Sequence, residues 1–519
     1  MKNIIFLLFI CISARVFSQM PTWNSEVAEI VFNKCGNCHH DEGVAHFPLT
    51  NYAAAKDADD EILDAIENDE MPPWPPDPTY VHFTDERVLS EEEKNTLIDW
   101  VMNGAPKGPG AEPEPPTYVT GPQMTDIDKE VLLPEFTISE NVDQYRSFVV
   151  HSDLDETRYI SGFEYLPGNV GAVHHMLIYM DTSDESYLKD LEDPLPGFES
   201  NGADLPSDYA KLIGGWAPGD NLFYLPAGMG VELSAGSDII VELHFAPGHE
   251  GETDETTINL QYSDAIFTRP VWIDPILFHF APCFQEPLFY IPANTVQTFH
   301  EIFSVDYGID LTLISVSPHM HLLGQTYWAF ALPPDGGDTI PLIKIDDWDF
   351  HWQSAYQFQK LLRIPANTDF YGIATYDNTT ANEDNPNDPP EDVWLGEQTT
   401  DEMMLCFFAY TFYLPGDENV ILDSAVLNTT HEIETLKDVS VFPNPATDVF
   451  NIQFYDPTVS NYDIVVYDLF GREVFTQSNI SASNYAINIA DWTEGMYVID
   501  ISAAHKKKTF KVMKVGDSE

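Results

Sequence analysis

Two cysteines and a histidine stand together near the start of the chain, in the run Cys35-Gly36-Asn37-Cys38-His39. Two thiols at this spacing can add to the two vinyl groups of one porphyrin, and the adjoining imidazole then lies beneath the iron. A zinc site would need a second Cys/His pair at similar spacing, and none follows. The motif therefore predicts covalently attached haem c, bound by Cys35, Cys38 and His39, and a domain folded around it.

The motif follows closely after an apolar run, Ile4 to Ile12, which comes after Lys2 and before small residues near Ser18. This pattern predicts a Sec signal peptide over residues 1–18, because the run is too short to cross a bilayer. We find no other long uncharged apolar stretch and expect no transmembrane span in the mature chain. The expected location is outside the cell or on its surface.

The charge balance excludes one class of partner. Among 519 residues, 85 are Asp or Glu and only 23 are Lys or Arg, a formal net charge of −62. Such a surface repels phosphate backbones, so we expect no nucleic-acid partner. The length predicts three or four domains.

The chain has five cysteines, of which Cys11 leaves with the signal and two are assigned to the haem. Cys283 and Cys406 remain. An oxidising compartment favours a disulfide between them, and two buried free thiols are the alternative.

Residues 20–107 read as short helices, over 26–33, 53–66 and 90–102, the last opened by a capping box at Ser90-Glu91-Glu92-Glu93. With the haem motif near its start, this region resembles class I cytochrome c. That resemblance implies a second axial ligand in a later loop, and Met71, beside a run of prolines that hold the loop rigid, is our candidate. His46, His82 and Met102 are rival ligands, and a Met71 that merely packs under the loop is the other alternative.

A linker rich in Pro, Gly and Glu is expected over 108–129. Beyond it, alternating segments separated by Pro, Gly and Asp turns predict a β-rich region too long for one sandwich, which we divide into domains at 130–270 and 271–428. The pattern of residues 439–519 predicts a further small β-sandwich. The run Phe442-Pro443-Asn444-Pro445-Ala446-Thr447-Asp448 and the strands after it closely resemble the C-terminal sorting domain of the type IX secretion system. This resemblance implies export by that machinery.

Five histidines of the β-rich region occupy positions suited to metal binding: His174, His175, His244, His319 and His321. Residues two apart on a strand share a face, so the last two can bind one ion. The adjacent pair can do so only if the backbone bends there or the rings use different nitrogens. Imidazole and thioether ligands suit copper. A lone histidine in a sandwich is more often a hydrogen-bonded structural residue, but five are harder to dismiss.

Several motifs occur in the order found in the copper type II, ascorbate-dependent monooxygenases, the peptidylglycine α-hydroxylating and dopamine β-monooxygenase relatives, which residues 130–427 resemble. They are Val173-His174-His175-Met176, Gly215-Trp216-Ala217-Pro218-Gly219, Leu243-His244-Phe245, Pro318-His319-Met320-His321-Leu322-Leu323-Gly324 and Thr400-Asp401-Glu402-Met403. The resemblance implies two jelly-roll-like β domains, each holding one of two copper ions. The whole chain is thus expected to be multidomain and mainly β, with one small α-helical domain.

By position, the resemblance implies that His174, His175 and His244 hold the electron-transferring copper. His319, His321 and Met403 would hold the copper at which O₂ reacts, with Met404 as a neighbouring alternative to Met403. The amidating branch has an Arg where this chain has Ser317. Peptide amidation is therefore not expected.

These features together predict a secreted copper-dependent monooxygenase that hydroxylates a C–H bond of a small-molecule or peptide-like substrate with O₂. Its electrons would come from an external donor through the haem. The alternative is a surface electron-transfer or copper-binding protein on the same scaffold, without hydroxylase activity.

Overall fold

The computed structural model describes residues 20–515, apart from 42, 44, 46, 119–120, 201–204, 219–221, 266, 306–307, 335, 337, 397, 423–433, 436–438, 455–460, 469–472, 494 and 504–505. The expected signal peptide and His46 lie outside these residues. The chain forms two compact units. One is Met1–Trp74 with Arg87–Gln123, and the other is Pro75–Glu86 with Met124–Glu519.

The first unit is helical, and its helices pack around a core that includes Trp23, Leu97 and Trp100, all fully buried. The side chain of Asn51 caps one helix, and Ser90 caps another in the expected capping box with Glu93. The helical segments are a π-helical turn Trp23–Val27, α1 Ala28–Lys34, α2 Tyr52–Asp57, α3 Asp59–Glu67 and α4 Glu91–Met102.

Two boundaries differ from the sequence expectation. Pro75–Glu86, within the range expected for the haem domain, belongs to the second unit because Phe83 is fully buried against Phe358 and Thr84 donates its N–H to Gln357. The first part of the expected linker, in contrast, packs on the helical unit. There Glu112 accepts the backbone N–H of Tyr52, and residues up to Gln123 belong to the same unit.

The second unit is built of β-sheets, which confirms the mainly β expectation. Its strands before the C-terminal region are β1 Lys129–Leu132, β2 Phe136–Thr137, β3 Gln144–His151, β4 Arg158–Leu166, β5 Val173–Asp181, β6 Phe198–Ser200, β7 Ala210–Trp216, β8 Leu222–Tyr224, β9 Met229–Leu233, β10 Asp238–Phe245, β11 Thr253–Asp254, β12 Thr257–Tyr262, β13 Arg269–Phe278, β14 Tyr290–Ile291, β15 Thr295–Ser304, β16 Leu311–His319, β17 Gly324–Leu332, β18 Ile340–Ile345, β19 Tyr356–Ile364, β20 Asp369–Asn378, β21 Val393–Trp394 and β22 Leu405–Phe412. A helix α5, Glu185–Glu192, and a 3-10 turn, Asp417–Asn419, complete this region.

The strands up to β12 and those from β13 share one sheet. Its order is β1-β12-β4-β9-β13-β22-β16-β19, with β8 on β4, and the parallel pairing of β9 with β13 joins the two halves. A sheet β6-β3-β10-β5-β7 accompanies the first half, and a sheet β15-β20-β17-β18 belongs to the second. The expected boundary near residue 270 therefore falls inside a continuous sheet, in β13.

Cys283 and Cys406 are both buried free thiols, so the structure has two separate thiols here and not the disulfide. The Cys283 sulfur accepts the backbone N–H of Phe278. Burial raises the pKa of the Cys283 thiol to about 12, which keeps it protonated.

The C-terminal region forms a five-stranded sheet β23-β30-β29-β26-β27 and a three-stranded sheet β24-β25-β28. Phe450, Ile464 and Ile499 are fully buried in its core. Its strands are β23 Glu434–Thr435, β24 Val439–Phe442, β25 Val449–Phe454, β26 Tyr462–Asp468, β27 Glu473–Ile480, β28 Asn484–Asn488, β29 Gly495–Ala503 and β30 Lys506–Lys514.

Within the described part of the chain, every helix is too short or too polar to cross a bilayer.

Candidate functional site

A β-bulge brings three histidines to one face of a sheet. His175 on β5 lies directly opposite His244 on β10, but the next residue of β10, Phe245, pairs with Val173. His174 is the extra residue of this bulge, and a bulge re-aims side chains that would otherwise alternate across the strand. The bulge is a backbone bend, one of the two ways in which adjacent histidines can bind one ion.

The three imidazoles form a cluster, the first histidine cluster. The Nδ1 atoms of His174 and His175 are 3.1 Å apart, and those of His175 and His244 are 3.4 Å apart. Each residue offers a nitrogen within 4.8 Å of the others. Ligand nitrogens at about 2.0 Å from one ion lie about 3.5 Å apart in a trigonal plane. The cluster therefore has close to the spacing that a single ion needs.

Asp143 fixes the tautomer of His244. The Nε2 atom of His244 lies 2.8 Å from Asp143 Oδ1, and this hydrogen bond lowers the pKa of the Asp143 carboxyl. A carboxylate accepts, so His244 donates from Nε2 and keeps its lone pair on Nδ1, facing the other two rings. Thr399, from the turn between β21 and β22, donates to the other oxygen of Asp143.

Burial keeps His174 and His175 of the first histidine cluster neutral. It lowers the pKa of His174 to about 3 and that of His175 well below its ordinary value. Neighbouring histidines act in the same direction, since one positive ring opposes another. His174 Nε2 is buried and has no hydrogen-bond partner among the described residues. Neutral imidazoles are the form that binds metals.

A second histidine cluster lies at the end of β16, where the rings of His319 and His321 are 5.1 Å apart. His321 Nδ1 lies 3.1 Å from the backbone oxygen of Asp401. His319 Nδ1 lies 2.6 Å from Gln353 Oε1. Both partners are acceptors, so each ring donates from Nδ1 and keeps its lone pair on Nε2. Burial lowers the pKa of His321 to about 3.

Glu402 ties Met403 to this cluster through the backbone. One oxygen of the fully buried Glu402 side chain accepts the N–H groups of His321 and Met403, at 2.9 and 3.1 Å. The other accepts the N–H of Leu323. The Met403 side chain is itself buried. The structure thus brings the backbone of Met403 beside that of His321, as a shared ligand set requires.

Three residues near the clusters were not identified from sequence. The ring of Phe350 lies 5.5 Å from the ring of His174 and 6.1 Å from that of His321. His279 accepts the N–H of Met404 at 3.2 Å, and burial, followed by the nearby His319, lowers its pKa to about 4. The third is Gln353, the partner of His319. Nothing in the local sequence marks Phe350, His279 or Gln353, whereas Glu402 is part of the motif Thr400-Asp401-Glu402-Met403.

The haem motif occupies a turn that continues α1. The N–H groups of Cys38 and His39 both bond to the oxygen of Cys35. His39 Nδ1 lies 3.0 Å from the backbone oxygen of Phe47, which can only accept, so the lone pair of this ring is on Nε2. Both thiols are half-buried and free. This arrangement suits two thioether bonds and one axial imidazole.

The candidates for the other axial ligand differ in their surroundings. Met71 is 39% exposed, so it is not packed in a core. His82 belongs to the second unit, where its ring bonds to Glu86. Met102 is 70% exposed on the last turn of α4.

Comparison with curated proteins finds no match. The solved structures that match include β-glucuronidases from Faecalibacterium prausnitzii, at 10% identity, 42% coverage of this chain and a TM-score of 0.13, and from Ruminococcus gnavus, at 9% identity, 43% coverage and a TM-score of 0.14. The chain covers 36% of each of these proteins, well under two thirds of their length. TM-scores this low carry no argument about fold or function.

One family matches part of the chain. Residues 440–515 match the family described as "Secretion system C-terminal sorting domain". This confirms the prediction made for this region and supports a secreted or cell-surface location. The chain therefore ends in a type IX secretion sorting domain, which points to that export machinery as a partner.

Proposed function

We propose that this chain is a secreted, haem-fused, copper-dependent monooxygenase that hydroxylates a C–H bond with O₂. The observation that carries the proposal is the first histidine cluster, in which neighbouring Nδ1 atoms converge at 3.1 and 3.4 Å. Hydrogen bonds to acceptors orient His244 in the first cluster and both His319 and His321 in the second so that their lone pairs remain for a metal. A merely structural histidine has no need of such an arrangement.

The donor sets fit copper. His174, His175 and His244 would hold one ion, and His319, His321 and Met403 the other, a combination of imidazole and thioether that suits copper cycling through Cu(I). Bound copper would supply one-electron storage and reaction with dioxygen.

The residues around the clusters orient the candidate ligands for metal binding. The Asp143 carboxylate, the Gln353 amide oxygen and the Asp401 backbone oxygen each accept a hydrogen bond from a ring N–H, which fixes tautomer and orientation. One side-chain oxygen of Glu402 accepts the backbone N–H groups of both His321 and Met403 and so holds the two residues side by side. Burial lowers the pKa of His174, His175 and His321 and so keeps these rings neutral.

The helical unit fits haem c. Cys35 and Cys38 would form the thioether bonds, His39 would be one axial ligand and Met71 the other. The haem would supply single electrons taken from an external donor. Hydroxylation consumes two electrons for each O₂ molecule, so a one-electron carrier on the same chain serves this reaction.

Oxygen uptake tests the proposal. The full mature chain, loaded with copper and given a reductant, should consume O₂ when a substrate is present, and His321→Ala and Met403→Ala should each abolish this uptake. His300→Ala, at an exposed histidine paired with Glu286, is the matched control and should change nothing.

Unchanged uptake in both variants would overturn the assignment. A chain that binds copper at both clusters but shows no substrate-dependent uptake would instead be the electron-transfer or copper-binding protein described as the alternative.

A further inference from the structure

A single loop contacts both histidine clusters. Residues 346–355, here called the bridging loop, connect β18 with β19. Trp348 anchors its start: the ring is 8% exposed, and its backbone N–H donates to Gln325 at 2.9 Å. Trp352 donates its N–H to the oxygen of Asp349, which closes a turn in the middle. The loop is therefore held at its start and folded on itself.

On the side of the second histidine cluster, Gln353 makes two hydrogen bonds. Its Oε1 accepts from His319 Nδ1 at 2.6 Å, and its Nε2 donates to the backbone oxygen of Phe350 at 2.8 Å. The second bond fixes the orientation of the amide, because only its nitrogen can donate to a carbonyl. The tautomer of His319 is thus tied to the backbone position of Phe350.

On the side of the first histidine cluster, the ring of Phe350 stacks on His174, with ring centres 5.5 Å apart and planes 20° apart. The same ring meets His321 nearly at right angles, at 6.1 Å and 86°. His351 adds an edge contact to His174 at 5.9 Å. One aromatic side chain therefore touches an imidazole of each cluster.

We infer that Phe350 and Gln353 are positioning residues that set the spacing and relative orientation of the two histidine clusters. The connection runs from His319 to Gln353, from there to the backbone of Phe350, and through its ring to His174. A rigid ring in van der Waals contact on both sides prevents the clusters from approaching and leaves little room for a change in their separation. That Phe350 and Gln353 position the two clusters holds without bound metal. The effect of this positioning on two copper ions rests on the proposed function.

The packing claim is tested on the metal-free full chain with labelled histidine rings. NMR signals are assigned with His174→Gln, His319→Gln and His321→Gln. Phe350→Ala should shift the ring signals of both His174 and His321, since a stacked and an edge-on contact are lost together. Gln353→Ala should shift His319 and also His174. Phe330→Ala, which removes a ring stacked on Tyr371 elsewhere in this region, should shift none of them.

The consequence for copper is tested by the dipolar interaction between two Cu(II) ions in the EPR spectrum of the loaded chain. The wild type should give one well-defined separation, and Phe350→Ala a broadened or displaced one. Phe350→Leu keeps most of the side-chain volume but removes the aromatic ring. It replaces Phe350→Ala in this measurement if the alanine variant does not fold.

Signals that move in only one cluster, or an unchanged copper separation in Phe350→Ala, would overturn the inference. Failure to bind two copper ions would overturn the proposed function instead, while the NMR comparison would still decide the role of the loop.

Discussion

The Nε2–H group of His244 donates a hydrogen bond of 2.8 Å to Asp143, and the Thr399 hydroxyl donates to the other oxygen of the same carboxylate. His244 and Asp143 are 101 residues apart in the chain, and Thr399 comes from the turn between β21 and β22. One carboxylate thus orients a ring of the first histidine cluster, and a hydroxyl from the turn between β21 and β22 holds that carboxylate in place.

Removing this carboxylate should weaken metal binding at the first histidine cluster. Partners that orient a metal-bound histidine typically contribute about 10–100-fold to affinity, and we expect a loss of that order in Asp143→Ala. Asp143→Asn should lose less, because the amide oxygen can still accept from His244. The measurement is competition for Cu(I) with a chelator of known affinity.

Asp153→Ala is the control for that measurement, since its carboxylate is exposed and pairs with Lys129. Equal copper affinity in wild type and Asp143→Ala would contradict the orienting role.

Glu402→Gln should lower the free energy of unfolding and disturb the second histidine cluster alone. The glutamine amide has one acceptor oxygen, whereas the carboxyl group of Glu402, whose pKa burial raises to about 8, has two. Each buried N–H left without a partner costs about 1–3 kcal/mol. Urea denaturation measures the first effect. Copper affinity at the second cluster should fall while that at the first is retained.

Glu130→Gln, at an exposed position on β1, should leave both properties unchanged. Wild-type stability in Glu402→Gln would show that both acceptor oxygens of Glu402 are not needed to hold the backbone of His321, Leu323 and Met403 in place.

Met71→Ala should abolish the weak far-red absorption band that marks a sulfur–iron bond, while the haem remains attached through Cys35 and Cys38. Met102→Ala is the matched control, because this methionine is 70% exposed and was a rival ligand. If the band persists in Met71→Ala and disappears in Met102→Ala, the axial ligand has been assigned wrongly. A bis-histidine spectrum in the wild type would point to His46 or His82.

Acid should destabilise the metal-free protein through its buried histidines. The folded pKa of His174 and of His321 is about 3, against an ordinary value of 6.5. As the pH falls below about 6.5, the unfolded chain takes up protons on these rings and the folded chain does not. The free energy of unfolding should therefore fall, by about 1.4 kcal/mol per pH unit for each ring at most.

Comparing the pH dependence of unfolding between pH 6.5 and 5 in wild type and His321→Asn isolates this contribution. The variant should show a shallower decline, and His300→Asn, at an exposed ring, should match the wild type. Identical slopes in wild type and His321→Asn would contradict the burial of a neutral imidazole.

Local pattern was enough to identify much of this molecule. Alternation and turn residues predicted a mainly β chain, and the spacing of Cys35, Cys38 and His39 predicted a haem attachment site, which stays a prediction. For His174 and His175 to bind one ion, their adjacency left two possibilities, a bend in the backbone or the use of different ring nitrogens, and the structure has a β-bulge there. Each of these depends on residues close together in the sequence.

What the sequence could not predict depends on contacts between distant segments. Nothing local marks Asp143 as the partner of His244, or Gln353 as the partner of His319. The parallel pairing of Arg269 with Met229, which makes one sheet of two halves, is likewise decided by tertiary packing. Phe350 has no signal of its own, because a single aromatic residue in a loop is common.

Elemental analysis combined with a haem stain tests the central claim most directly. The mature chain, purified after copper loading and removal of loosely bound metal, should contain two copper ions and one iron per molecule, with the iron in covalently attached haem. Loss of one copper in His244→Ala and of the other in His321→Ala would assign each ion to its cluster. Iron without copper, or neither metal, would contradict the account.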